Sequence, residues 1–150
     1  MENTNSESFK RVTQVGIVVR DIERSCKAWA RLLGLETPRI VETEVPEVTG
    51  MVYKGKASGG RAKLAFFQLE NLSLELIEPI GGPSSWSEFL DRNGEGIHHI
   101  AFKVDDIGSA KDILRDVGVN VEQEGNFTGG SYAYTEPDSP LGAILELLSY

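Results

Sequence analysis

Two stretches of this chain repeat one pattern 85 positions apart. Residues 12–19, VTQVGIVV, are followed by Asp21, an amphipathic run over Ile22–Leu33 and Gly34. Residues 97–104, IHHIAFKV, are followed by Asp106, a similar run over Ile107–Val117 and Gly118. Val19 falls on Val104, Asp21 on Asp106 and Ile22 on Ile107. Each unit predicts a strand of β-branched residues, an Asp N-cap, a helix and a Gly stop. The halves also end alike, with LEL at 74–76 and at 145–147, an offset of 71. The offset shrinks because the first half has a longer middle. Further strands are predicted near 40–45, 62–68 and 73–78, then near 120–124, 131–135 and 143–149. Modules of this kind bury their apolar faces against each other or against a neighbouring copy. The expected fold is α+β: paired βαβββ modules forming a concave, mainly antiparallel sheet with helices on one side. The modules cover about 10–80 and 95–150 of a single domain, 1–150, and are joined by a short helix within SSWSEFLDRNGEG that begins near Ser84 or Ser85.

Alternation along these strands sorts the polar side chains. The two histidines of the chain, His98 and His99, are neighbours. Successive strand residues point to opposite faces, so only one of them is expected at any one site. On the offset of 85 His99 falls on Gln14, and on the offset of 71 Glu146 falls on Glu75. Gln14, Gly16 and Val18 share one side of their strand; Val15, Ile17 and Val19 share the other. His99, Ala101 and Lys103 likewise oppose Ile100, Phe102 and Val104, and leucines flank both Glu75 and Glu146. The bulky face should meet the helices. Gln14, Glu75, His99 and Glu146 are therefore expected together on the concave surface. A single Glu in LEL is commonly a solvated residue, but four metal-capable groups at repeat-equivalent positions point to a metal or acid–base site. His98 is expected to be packed or to lie at the rim.

Composition narrows the function. The net charge is −8 and no basic run exceeds two residues, which argues against nucleic acid. The densest basic stretch, KGKASGGRAK at 54–63, reads as a solvated Gly-rich hairpin. Lys63 is the one member weighed as reaching a ligand. No run approaches the roughly 18 apolar residues of a membrane span. MENTNSES, residues 1–8, lacks the layout of a signal peptide, and a cytoplasmic location is expected. The single cysteine, Cys26, fits a reducing compartment and reads as a small buried hydrophobe on its helix.

With these residues in hand, roughly 10–150 resembles the vicinal oxygen chelate (glyoxalase/bleomycin resistance/dioxygenase) superfamily. Within it the chain is most similar to the methylmalonyl-CoA epimerases, through LELIEP at 74–79, FLDRNGEGIHHIAFKVDDI at 89–107 and GAILEL at 142–147. The resemblance implies metal ligands at Gln14, Glu75, His99 and Glu146 around one divalent ion (Co, Ni, Zn or Mn), with Glu75 and Glu146 also as catalytic bases. It implies an acyl-CoA thioester substrate, proton abstraction and return at C2 through a metal-stabilised enediolate, and a homodimer. Two departures stand out. Such epimerases usually carry His at the first ligand position, where this chain has Gln14. They also carry a further catalytic Glu in the first half, whereas GGRAKLAFFQ holds no acid.

A Gln/Glu/His/Glu set resembles that of one class of glyoxalase I, which keeps that isomerase as an alternative. Extradiol dioxygenase chemistry wants two His and one carboxylate around iron, and only His99 is on the right face. A metal-free small-molecule binding or resistance protein of the same fold is the third reading. The segment Trp86–Leu90 and the loop GNFTGGS at 125–131 offer surfaces for the rest of a substrate.

Overall fold

The structure is a computed structural model that describes residues 8–150, so most of the MENTNSES stretch lies outside the described residues. Strand β1 (Val12–Val18) runs into helix α1 (Ile22–Leu33). The Asp21 carboxylate accepts the Arg24 N–H at its start, and Gly34 closes it at φ +67°, where a Cβ would be strained. There follow β2 (Val41–Glu42), α2 (Pro46–Thr49), β3 (Val52–Tyr53), β4 (Lys56–Ala57), β5 (Arg61–Gln68) and β6 (Ser73–Ile80). Helix α3 (Ser85–Asn93) is the predicted connector, opened by a capping box between Ser84 and Ser87. The second half comprises β7 (Gly96–Lys103), α4 (Ile107–Asp116), β8 (Val121–Phe127), β9 (Gly130–Thr135) and β10 (Leu145–Ser149). Asp106 caps α4 by accepting the Ser109 N–H, as Asp21 caps α1.

Among the described residues all ten strands form one sheet in the order β2-β5-β6-β1-β7-β10-β9-β8-β3-β4. The two opening strands, β1 and β7, pair antiparallel and join the halves. Only β1 with β6 and β7 with β10 are parallel, so the sheet is mainly antiparallel as expected. On the convex face Val19, Leu74 and Leu76 pack on Ile22, Cys26 and Ala30 of α1. Val104, Leu145 and Leu147 pack equivalently on Ala110 and Leu114 of α4. Among the described residues no helix is long and apolar enough to cross a membrane.

The structure departs from the sequence-based expectation at three places. The strand expected near 40–45 shrinks to β2, because Pro46 cannot donate to a ladder and instead occupies the first turn of α2. The chain then crosses to the other edge of the sheet, where Val52 and Tyr53 of β3 pair with Glu124 and Gln123 of β8. Of the basic stretch, only Lys54–Ala57 belongs to the β3–β4 hairpin. Lys54 and Gly55, both at positive φ, make its turn, while Arg61 already opens β5. Finally, the helices do not all lie on one side. Val18 and Ile77 share the face of Gln14 and Glu75, and Trp86 of α3 packs against them, so α3 closes one end of the concave side.

Candidate metal centre

The four polar groups singled out by the repeat meet at one point. Register fixes this: Gly16 lies beside both Glu75 and His99, and Ala101 lies beside both Gln14 and Glu146. Nε2 of His99 is 3.2 Å from Oε1 of Gln14 and 3.5 Å from a carboxylate oxygen of both Glu75 and Glu146. One ligand atom from each of Glu75, His99 and Glu146 lies within 4.8 Å of the others, and all three residues are buried. One chain supplies the whole set.

The small residues between them are as necessary as the polar groups. Gly16 lies under the His99 ring, and a Cβ there would overlap Cε1 and come within 2.6 Å of both ring nitrogens. Ala101 is fully buried between Gln14 and Glu146.

The electrostatics of the cluster suit a cation. Burial, then the charge of Glu146, pushes the Glu75 carboxyl well above the usual carboxylate range. Burial pushes Glu146 up to about 8, opposed by a hydrogen bond with Tyr134. Burial holds His99 well below the usual imidazole range, so its ring is neutral and offers a lone pair. Among the described residues Glu75 Oε1 is buried with no hydrogen-bond partner. Two desolvated carboxylates, an amide oxygen and a neutral imidazole around an orphaned oxygen form a donor set that fits a divalent ion of borderline hardness.

These shifts give a pH prediction for the metal-free protein. A carboxyl whose folded pKa is raised loses its stabilising contribution as pH rises from the unfolded value through the folded one. Depressed imidazoles act the other way, losing theirs as pH falls below about 6.5. Between pH 6.5 and 8 only the carboxyls act. Melting of chelator-treated protein is therefore expected to shift to lower temperature over that range, and a saturating divalent ion should reverse the trend. A flat profile would show that the carboxyls are already compensated.

The structure adds residues that the sequence reading missed. In the pairing, Glu146 faces Tyr134 and Glu75 faces Phe66. The Tyr134 hydroxyl serves Glu146, while Phe66 offers Glu75 nothing, which explains why only Glu75 keeps an orphan oxygen. Trp86 Nε1–H donates to the same hydroxyl at 3.1 Å.

His98 is packed, as expected, but not on the opposite face from His99. The β1–β7 register skips a residue, Gly16 pairing with His99 and Ile17 with Ile97, so His98 sits in a β-bulge. Its ring turns to the same side, Nδ1 to Nδ1 at 2.9 Å. Lys63 is not at the site. It lies on the other face of β5, 3.6 Å from Glu78, because Leu64 takes the concave position.

Gln14, Glu75 and Glu146 of the cluster line a cavity of about 460 Å³ that is also walled by Met51, Leu64, Phe66, Trp86 and Phe127. Both Trp86 and the loop at 125–131 thus contribute to it. Glu42 and Glu44 stand at its mouth, and among the described residues no Lys or Arg lines it. Glu44 also accepts the N–H and hydroxyl of Thr128, tying the crossing segment of the first half to the β8–β9 turn of the second.

With this geometry in place, comparison with known proteins is informative. A family model described as the Glyoxalase/Bleomycin resistance protein/Dioxygenase superfamily matches residues 13–134. The ethylmalonyl-CoA/methylmalonyl-CoA epimerase of Cereibacter sphaeroides is 29% identical over 142 residues, covering 91% of this chain and 96% of its own length. An uncharacterised Bacillus subtilis protein is 28% identical over 144 residues, covering 93% and 91% respectively. A solved methylmalonyl-CoA epimerase in complex with methylmalonyl-CoA and NH4+ is 25% identical, with a TM-score of 0.64 and 93% of each chain covered.

Proposed function

The chain belongs to the glyoxalase/bleomycin resistance protein/dioxygenase superfamily, and from that premise we propose that it is a metal-dependent epimerase inverting C2 of methylmalonyl-CoA. The observation that carries this reading is the pair of buried glutamates, one from each half, each 3.5 Å from the same imidazole nitrogen. Inverting a carbon centre needs a proton removed from one side and returned on the other, and paired bases suit that task.

A divalent ion held by Gln14, Glu75, His99 and Glu146 would supply a Lewis acid for the charge that builds on the thioester oxygen. The cavity itself argues for such a cation. A substrate carboxylate entering it meets Glu44, Glu75 and Glu146 with no lysine or arginine among the lining residues, while Glu42 is paired with Arg61 at 3.4 Å.

The remaining work falls to the chain's own side chains. A carboxylate oxygen of Glu146 takes the C2 proton, and the C–H electron pair delocalises towards the thioester carbonyl. Glu75 then delivers a proton to the opposite side of C2. For the other epimer the roles exchange. Burial raises both carboxyls above the usual carboxylate range, which favours their holding a transferred proton. The Tyr134 hydroxyl steadies Glu146, and the apolar wall limits water at the carbanionic carbon.

The Gln/Glu/His/Glu donor set gives a second reading, a glyoxalase I-type shift of a proton between adjacent carbons. One experiment separates the two. A single C2 epimer of methylmalonyl-CoA is incubated with Co²⁺-loaded protein and the epimers are resolved by chiral chromatography. Approach to an equal mixture without glutathione is expected. Turnover only of a glutathione hemithioacetal would move the assignment to the second reading. Inertness to both, with ligand binding indifferent to metal, would favour a metal-free binding module.

A further inference from the structure

The concave face continues past the polar cluster to a pair of cations that the proposed chemistry leaves unused. Strands β7 and β10 run parallel, with Ala101 beside Glu146 and Lys103 beside Leu148. Residues paired in this way share a face of the sheet, so Lys103 stands on the side of Glu146, Leu148 and Tyr150, which all line the cavity. Its ammonium lies 4.0 Å from the centre of the Tyr150 ring, a cation–π contact at the edge of the cavity wall. Four residues of strand separate Lys103 from His99, a span of about 13 Å. Across the other edge of β7, Val12 pairs with Phe102, which places the exposed Arg11 at the next position, opposite Lys103. Like charges opposite each other on paired strands repel, and an anion bound between them relieves the repulsion.

We propose that Lys103, with Arg11 opposite it, is the subsite for the phosphate groups of the coenzyme A carrier, the pantetheine arm lying along Leu148 and Tyr150. The inference rests on the epimerase reading above and assigns the part of the substrate that this reading leaves unplaced.

The surroundings of the cluster favour this path. At the end nearest α3, Trp86 and Met51 pack on Val18 and Ile77 and close the concave side. At the rim, the Glu44 carboxylate is fastened to Thr128 and repels a phosphate. The way past Leu148 and Tyr150 leads instead to two positive side chains. In a chain of net charge −8, such a pair is a local exception that a polyanionic tail would seek out. Lysine meets a phosphate as a point charge and arginine as a planar fork, so the two suit neighbouring phosphate oxygens. Contacts this far from C2 are equal in the bound substrate and in the transition state. They therefore lower KM and leave kcat alone.

The test compares methylmalonyl-CoA with methylmalonyl-pantetheine, which has the same thioester and arm without the phosphates. Both are assayed with Co²⁺-loaded protein. The wild type is expected to show a lower KM for the coenzyme A ester, similar kcat values, and a KM difference that shrinks as salt rises. In Lys103→Ala, KM for methylmalonyl-CoA is expected to rise about 5- to 10-fold, with kcat and the pantetheine constants held. Arg11→Ala should act in the same direction, and Lys103→Arg should recover most of the loss. Lys63→Ala, which removes the same charge from the other face of the sheet, is the control and should leave KM near native. Equal KM values for the two thioesters in the wild type would overturn this inference alone. So would a rise in Lys103→Ala that is equal for both thioesters or is matched by Lys63→Ala. Wild-type protein that turns over neither thioester would overturn the epimerase reading and this inference with it.

Discussion

Replacing Glu146 with Gln is expected to lower the rate of C2 epimerisation by about 10²- to 10⁴-fold at saturating metal. Gln keeps an oxygen for a metal, as Gln14 does, but it cannot accept a proton at that oxygen under working conditions. The residue is 4% exposed, so water has little room to substitute as a base. Rates should be read beside metal affinity and thermal melting, so that lost loading or lost fold is separated from lost proton transfer. Glu75→Gln should show a similar loss, with one difference. Starting from one pure epimer, a variant lacking only the returning base can still exchange the C2 proton without inverting the centre. The two variants should therefore differ in exchange relative to inversion, and the difference should swap between epimers. Near-native inversion in either variant would remove that carboxyl from the mechanism.

A single methyl at Gly16 is expected to do comparable damage without touching a ligand. The His99 ring occupies the space where a Cβ would stand, and both ring nitrogens lie within 2.6 Å of it. Gly16→Ala must push the ring outward, separating Nε2 from the two carboxylates and Nδ1 from His98. A displacement near 1 Å at a reacting group costs on the order of 10²-fold in rate. Overpacking of this kind costs about 1–3 kcal/mol of stability. Metal titration and chemical denaturation would read the two effects separately. Gly59→Ala, where a Cβ meets nothing within 4 Å, is the matched control and should leave both near native. Wild-type metal affinity in Gly16→Ala would mean that the ring is not held where the structure places it.

What was legible in the sequence follows from which signals are local. Both capped helices could be placed because Asp21, Asp106, Gly34 and Gly118 act on their own turns. The convergence of Gln14, Glu75, His99 and Glu146 could be read because each sits on a strand with clear alternation, and the internal repeat sets the pairs in register. The bulge at His98 could not. It exists only in the pairing of β7 with β1, more than eighty residues away, and alternation within IHHIAF gives no sign of it. Lys63 was ambiguous for another reason: AKLAFFQ is apolar on both faces, so its parity had no anchor until β5 paired with β6. Tyr134 was hidden within SYAYT, where Tyr132 and Tyr134 both take concave positions. Its partnership with Glu146 becomes visible only when β9 lies beside β10. The crossing to β8 was foreshadowed by Pro46, which ends the strand, but the destination is a long-range choice.

The most direct measurement is deuterium uptake at C2 of methylmalonyl-CoA in D₂O, comparing Co²⁺-loaded with chelator-treated protein. Uptake far above the spontaneous rate in the loaded sample, and lost on stripping, is the predicted result. It would show that the buried Gln14/Glu75/His99/Glu146 cluster makes that carbon acidic only when a metal completes it. Background uptake in the loaded protein, or equal uptake in both samples, would contradict a metal-dependent epimerase.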